Sequence, residues 1–233
     1  MKKLGDLSMP VRVETPISGL TIVQLAPNET IPPHYHGEGY VVVPFLSATL
    51  ERVTHHKGRE IASEPLVLEP LVPYYVDATE EEHAISVRNA GGGFSVFQKI
   101  APEPPVRGPQ PELTKIPVVI QSSGNLHAFT AEVALTVMEQ AVGMMFRPAL
   151  APDRGMLFAW GYPRHVGMYM RNVLIHLDFL FIDANFRITN IKENAAPKDL
   201  TPIRSQGDVV FTLELPGGTV ARLGIAVGDV VLP

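Results

Sequence analysis

The chain of 233 residues contains no cysteine. The absence of thiols excludes disulfide bridges, thiolate zinc centres, iron–sulfur clusters and cysteine nucleophiles. An excess of positive charge is also lacking, because 19 basic and 24 acidic residues give a net charge of −5. This charge balance argues against nucleic acid or an anionic membrane as the partner.

Long apolar runs are missing too. The longest, residues 41–46 and 177–182, fall far short of the ~20 residues that cross a bilayer as a helix. Lys2 and Lys3 are followed by Leu4-Gly5-Asp6 rather than by an apolar segment, so no secretory signal is predicted. We therefore expect a soluble, cytoplasmic protein.

Proline and glycine, by contrast, are abundant, with 22 and 19 residues. Prolines crowd residues 102–114. Because proline fixes φ and lacks an amide donor, this stretch fits neither a helix nor a central strand, and it is predicted to be a semi-rigid linker. The linker separates a domain at residues 1–101 from a domain at residues 115–233.

Both domains are predicted to be mainly β. In residues 1–101, short β-rich runs alternate with turn sequences such as His56-Lys57-Gly58, a pattern typical of a sandwich, jelly roll or barrel. In residues 115–233, strand patterns surround one short helix, predicted at about 137–142. Thr136 and Glu139 have the spacing of a capping box at its start, and Gly143 is its predicted stop.

The most informative segment of the first domain is Pro33-His34-Tyr35-His36-Gly37-Glu38-Gly39-Tyr40. Alternate side chains of an extended strand share a face, so His34, His36, Glu38 and Tyr40 would lie together. Two imidazoles and a carboxylate on one face can hold a divalent metal. His83, at the start of another predicted strand, is the natural further ligand.

This domain resembles the cupin superfamily over residues 20–100. One of the two cupin motifs is similar to Pro33-His34-Tyr35-His36, and the other is similar to Glu82-His83-Ala84-Ile85-Ser86-Val87-Arg88-Asn89. The resemblance implies a jelly-roll barrel with His34, His36 and His83 as metal ligands, whereas Glu38 enters from the strand alternation alone. Imidazole ligands suit Fe(II), Mn(II), Ni(II), Cu(II) or Zn(II).

Two interpretations of these residues stay open. The histidines either bind a metal or line a pocket that binds none. Tyr40 is a candidate ligand-binding residue, since a phenol can donate a proton, and the alternative is that it packs in the core. His55 and His56 precede Lys57 and are interpreted as part of an exposed hairpin turn.

The second domain contains a series of apolar strings interrupted by single polar residues, at residues 139–147, 154–158, 168–183 and 213–219. The series resembles DUF192, a family of uncharacterised bacterial and archaeal domains, over residues 127–232. The resemblance implies a compact, mostly β domain with one helix, and it leaves the biochemical role open.

The polar residues inside these strings are the candidate ligand-binding residues of the second domain: Arg147, Arg171, Asn172 and Asp178. An arginine can fork onto a carboxylate, so Arg147 or Arg171 is expected to pair with Asp178. The functional interpretation is a pocket for an anion or a carboxylate ligand. The alternative is a structural ion pair that fixes loops.

The sequence leaves three functions open. The first is a cupin-like protein that binds a divalent transition metal and acts on a small organic molecule. The second is a non-catalytic module that binds a small molecule, and the third is a protein-interaction module that forms a homo-oligomer. Neither nucleic acid nor a membrane is expected as a partner, and whether the chain is an enzyme is left open.

Overall fold

The computed structural model describes residues 11–14, 20–34, 40–76, 83–100 and 108–232. The chain divides into two compact units, Met1–Val106 (unit 1) and Arg107–Pro233 (unit 2). The described residues are mainly β, with two short helices. None of the helices in these ranges has the length and apolar character needed to cross a membrane.

Unit 1 contains nine described strands: β1 (Val11–Glu14), β2 (Leu20–Leu25), β3 (Thr30–His34), β4 (Tyr40–Pro44), β5 (Ala48–His56), β6 (Arg59–Leu68), β7 (Tyr74–Val76), β8 (His83–Asn89) and β9 (Ser95–Ile100). They form two antiparallel sheets, with the strand orders β1-β2-β9-β4-β7 and β3-β8-β5-β6.

The strand pairing of unit 1 is nested. β5 pairs with β6, β4 with β7, β3 with β8, and β2 with β9. A chain paired in this way is one long hairpin that has folded over into two sheets, which is a jelly roll. The jelly-roll fold expected of the first domain is confirmed.

The strand β3 contains Pro32 and Pro33, which donate no backbone hydrogen bond. The register of β3 against β8 shifts between Ile31 and His34. This irregularity accommodates both prolines and restores pairing at His34.

The sheet β3-β8-β5-β6 has a core face, which we define by Ile31, Leu50, Ile85 and Val87. All four side chains are buried, and the register places Ile31 opposite Val87 and Leu50 opposite Asn89. Every second residue of β8 belongs to this face, so the face continues along β8 to His83.

Unit 2 contains the remaining elements: β10 (Lys115–Ser122), β11 (Asn125–Ala134), α1 (Val137–Val142), β12 (Arg154–Arg164), β13 (Gly167–Met168), β14 (Leu177–Ile182), β15 (Ile188–Ala195), β16 (Ile203–Arg204), β17 (Val209–Pro216), α2 (Thr219–Leu223) and β18 (Val230–Leu232).

Seven strands of unit 2 form one sheet in the order β15-β14-β17-β12-β11-β10-β18. A bridge between Arg187 and Val230 joins its two edges, so the sheet curls on itself. The inner face packs an apolar core that includes Leu157, Leu180 and Leu213. Residues that alternate with these along the strands face the other side of the sheet, and some of them, such as Phe158, are also buried. Both faces of the central strands are therefore covered.

The helix α1 begins and ends as its sequence predicts. Thr136 Oγ1 accepts a hydrogen bond from the Glu139 amide (3.2 Å), and Glu139 Oε2 accepts one from the Thr136 amide (2.8 Å). Gly143 follows the helix with φ of +49°, and a Cβ there would lie 3.0 Å from the Phe158 ring. The predicted capping box is confirmed, and α1 ends against the outer face of the sheet.

The second half of the proline-rich segment packs on unit 2. The Gln110 side-chain amide donates to the carbonyl oxygens of Glu139 (3.2 Å) and Gly143 (2.9 Å). The Leu113 backbone amide donates to Glu132 Oε2 at 2.8 Å. These contacts fix residues 110–113 beside the end of α1.

Candidate functional site

Two of the four metal ligands expected from the sequence, His34 and His83, lie within the described residues. His34 ends β3 opposite Ile85 of β8. His83 begins β8 and shares the core face with Ile85, because the two are separated by one residue. His36 and Glu38 lie outside the described residues. The structure therefore brings His34 and His83 to the same end of one sheet face.

A further histidine, His56, lies beside His83. It pairs with His83 in the register of β5 and β8, and the centroids of the two rings are 5.1 Å apart. His55 faces the other way, with Nε2 2.8 Å from the Ser86 hydroxyl. The assignment of both residues to an exposed turn was wrong, because β5 continues to His56 and the turn begins at Lys57.

The sequence does contain a signal for His56. Adjacent residues of a strand face opposite ways, so one histidine of the pair had to share the face of His83 once both strands were in register. The register itself depends on long-range pairing, which a single sequence does not fix.

These imidazoles suit a first-row divalent ion in their donor chemistry. Two imidazoles bound to one ion have ring centroids ~5 Å apart, given ordinary metal–nitrogen distances, which is close to the separation of His56 and His83. Within the described ranges, no three His, Cys, Asp or Glu side chains are grouped closely enough to hold an ion. A full ligand set would therefore draw on His36 or Glu38.

Tyr40 is the first residue of β4, and His34 is the last residue of β3. Its side chain is buried, and Lys99 Nζ lies 4.1 Å from the centroid of its ring. A cation over an aromatic face is attracted by the ring quadrupole. The ring is thus both a core residue and the partner of a lysine.

In unit 2, Arg147 pairs with Glu132 rather than with Asp178. Its Nη1 and Nη2 donate to Glu132 Oε1 (2.6 Å) and Oε2 (2.8 Å). Burial acts to raise the pKa of Glu132, but hydrogen bonds from Arg147 and from the Leu113 amide outweigh burial and hold that pKa below its ordinary value. The pair is a bidentate ion pair between a buried carboxylate and a partly buried guanidinium.

Asp178 instead holds backbone amides together. It is fully buried, and its oxygens accept hydrogen bonds from the amides of Asn194 (2.7 Å), Gly218 (3.1 Å) and Val220 (2.8 Å). Gly218, the residue before α2, has no side chain to cap that helix. Asp178 therefore supplies the cap of α2 from β14, across a long sequence separation.

Asn172 and Arg171 lie in the segment that neighbours Arg147. The Asn172 carbonyl accepts a hydrogen bond from the Phe146 amide at 2.8 Å, and its side-chain amide is 3.9 Å from Met145 Sδ. Arg171 is half-buried. Three of the four candidate residues of unit 2 thus belong to one region, whereas Asp178 faces the inner core.

Glu214 is a functional candidate that sequence reasoning missed. Met156 pairs with both Glu132 and Glu214, which places the two carboxyl groups in one row on the outer face of the sheet. Glu214 is 3% exposed. Burial raises the pKa of Glu214 to about 8, against the opposing effect of Arg147. The signal was available, since a lone glutamate between Leu213 and Leu215 interrupts a buried strand.

A curled seven-stranded sheet with a helix against its outer face defines the structural class of unit 2. The model of the family DUF192, described as uncharacterized ACR, matches residues 118–232. Most of unit 2 is therefore similar to this family.

Two solved structures resemble this chain at 40% identity. One, a proposed transcription regulator from Sinorhizobium meliloti 1021, has a TM-score of 0.52, with 53% of this chain and 96% of that chain covered. The other, a protein of unknown function from Novosphingobium aromaticivorans DSM 12444, has a TM-score of 0.51, with 52% and 86% covered. No curated protein matches this chain.

Solved structures similar to the N-terminal part include cupin domains. One from Bordetella pertussis Tohama I shares 22% identity and has a TM-score of 0.31, with 40% of this chain and 90% of that chain covered. The jelly-roll fold of unit 1 rests on its nested strand pairing and not on this likeness.

Proposed function

We propose that unit 1 is a metal-binding jelly roll whose histidines hold a divalent transition metal for a small organic ligand. The observation that supports this function most directly is the pairing of His56 with His83 at a ring separation of 5.1 Å, at the end of the sheet face that also carries His34. His36 and Glu38 are the proposed completing ligands.

The surroundings of His34 fit a ligand role. Its Nδ1 lies 2.7 Å from the Pro32 carbonyl oxygen, and such a contact requires the proton on Nδ1. A backbone carbonyl that fixes the tautomer in this way is typical of metal-binding histidines, and it makes Nε2 the proposed ligating nitrogen. A bound ion with open positions would supply Lewis-acid or redox chemistry to the small molecule.

The test is elemental analysis of the full chain after reconstitution with Fe(II), Mn(II), Ni(II), Cu(II) or Zn(II). We expect about one metal per chain in the natural protein. His83→Ala and His56→Ala are expected to lower the metal content severalfold. Binding of a small molecule at the metal is then measured with the loaded protein.

The matched control is His55→Ala, which removes the neighbouring imidazole on the opposite face. This variant loses the contact with Ser86 and with it about 1 kcal/mol of stability, but it is expected to keep its metal. A natural protein that takes up none of the five ions would overturn the proposal, as would a metal content that falls equally in all three variants.

A further inference from the structure

A half-open cavity of about 270 Å³ lies in unit 1. Its wall is formed by the start of β5, the end of β6, the end of β8 and the loop to β9. His83 begins β8 and Asn89 ends it, so this cavity is at the opposite end of the strands from the histidines. It is therefore independent of the proposed metal site.

The wall contains a buried hydroxyl that has no hydrogen-bond partner among the described residues. Ser95 is 1% exposed and lines the cavity, and its Oγ makes no hydrogen bond to any described part of the chain. A buried hydroxyl destabilises the fold unless something supplies its hydrogen bond. The position of Ser95 points to a polar ligand.

The glycine loop that lines part of the cavity is held in place by the side chain of Asn89. The Asn89 side chain donates to the Gly93 carbonyl (2.8 Å) and accepts from the Gly91 amide (3.0 Å), which fixes both ends of the loop. A Cβ built at Gly92 or Gly93 would meet nothing within 4 Å. The glycines therefore leave open space and an exposed backbone beside the cavity.

The lining selects against anions. Hydroxyl groups of Ser47, Thr49 and Ser95 are present, and among the described residues that line the cavity Glu69 is the only one with a charged side chain. Without a lysine or arginine, a carboxylate or phosphate would meet no opposite charge. Hydroxyls both donate and accept, so they match a ligand that is itself rich in hydroxyls.

Two exposed aromatic residues are close in sequence to the residues that line the cavity. Phe45 and Phe94, 41% and 52% exposed, lie within two residues of Ser47 and Ser95. The Phe45 amide donates to the Val96 carbonyl at 2.8 Å, which ties the two aromatic segments together. Exposed aromatic faces offer apolar surface for the C–H face of a ring.

We propose that this cavity binds a neutral, hydroxyl-rich ring of monosaccharide size. The hydroxyl groups of Ser47, Thr49 and Ser95 would bind the sugar hydroxyls. The rings of Phe45 and Phe94 would pack against the apolar face of the sugar ring. The volume lies at the small end of ligand pockets, which suits one sugar unit.

The test is titration of the full chain with glucose, galactose and mannose by calorimetry, in the natural protein and in Ser95→Ala. We expect at least one sugar to bind the natural protein. Ser95→Ala is expected to weaken the affinity for that sugar at least tenfold. It is not expected to lower the melting temperature of unit 1, because the hydroxyl that it removes has no hydrogen-bond partner among the described residues.

Ser86→Ala is the matched control, since Ser86 is also a buried serine but is bonded to His55. We expect it to lower the melting temperature and to leave the sugar affinity unchanged. His83→Ala is likewise expected to leave sugar binding intact, so a failure of the metal proposal would not affect this result.

The proposal would be overturned if no sugar binds, or if Ser95→Ala binds the sugar as tightly as the natural protein does. It would also be overturned if methylammonium binds to the chain and the sugars do not. A further contrary outcome is that no sugar binds and the chain self-associates in a way that Phe94→Ser abolishes. Phe94 would then contact a second copy of the chain.

Discussion

At the scale of single residues, one row on the outer face of the unit 2 sheet contains two glutamates, Glu132 and Glu214. Arg147 uses both terminal nitrogens on Glu132, and the row that contains Glu132 continues through Met156 to Glu214. The guanidinium of Arg147 neutralises the carboxylate of Glu132, and the carboxyl group of Glu214 is the second acid in the row. Glu214 is therefore protonated at neutral pH, in agreement with the pKa of about 8 that its burial produces.

Glu214→Gln should stabilise unit 2 at neutral and alkaline pH. Because the folded pKa is raised, the natural protein keeps its full stability below the unfolded pKa of 4.5, loses stability as the pH rises toward about 8, and loses no more above it. Each pKa unit corresponds to about 1.4 kcal/mol. We expect a gain of a few kcal/mol for the variant at pH 8 and little or none at pH 4.5.

Urea unfolding followed by tryptophan fluorescence measures this effect, because the chain has 1 tryptophan, Trp160, which is buried in unit 2. Glu193→Gln, at an exposed position of β15, is the control and should change stability little at any pH. A stability difference between Glu214→Gln and the natural protein that does not vary with pH would contradict a protonated Glu214.

At the scale of secondary structure, the two helices of unit 2 are capped in different ways. Thr136 and Glu139 cap α1 from within the same turn. The α2 helix follows Gly218 and receives its cap from Asp178 on β14, which is fully buried and accepts three amides. A buried carboxylate of this kind contributes more than an exposed hydroxyl cap.

Asp178→Asn should therefore destabilise unit 2 more than Thr136→Ala does. The amide would place an NH₂ group against a backbone N–H donor, and we expect a loss of about 2–4 kcal/mol. Thr136→Ala should cost about 1 kcal/mol. The urea midpoints from Trp160 fluorescence compare the two, and equal midpoints would show that Asp178 is not an essential cap.

The two caps also show which features the sequence could predict. The capping box and the end of α1 at Gly143 depend on neighbouring residues, and the sequence predicted both correctly. The pairing of Arg147 with Glu132, and of His56 with His83, depends on strand register between distant segments. A single sequence does not determine that register, so Arg147 or Arg171 was expected beside Asp178, and His56 was expected in a turn.

At the scale of the whole molecule, each sheet belongs to one unit. In the described residues, no strand of unit 1 pairs with a strand of unit 2, and the apolar core inside the unit 2 sheet is formed by residues of unit 2 alone. Each unit thus has the secondary structure and buried surface needed to fold as a domain.

A fragment of residues 108–233 should fold without unit 1. It contains the Gln110 and Leu113 contacts that cover the end of α1. We expect its Trp160 emission to be the same as in the full chain and its melting temperature to differ by roughly 5 °C or less. An unfolded fragment, or a much larger shift, would show that unit 2 requires unit 1.

The nested pairing of unit 1 has a consequence for the order in which the barrel assembles. The β5–β6 hairpin closes across Lys57 and Gly58, whereas β2 and β9 pair across most of the unit. Since closing a loop costs more entropy as the loop lengthens, each inner pair shortens the effective loop for the next one. We therefore expect folding to proceed outward from the hairpin turn, and to be slow because the barrel is rich in distant pairings. The β2–β9 pair is then expected to form last, and this pair is where we expect the folded barrel to open first.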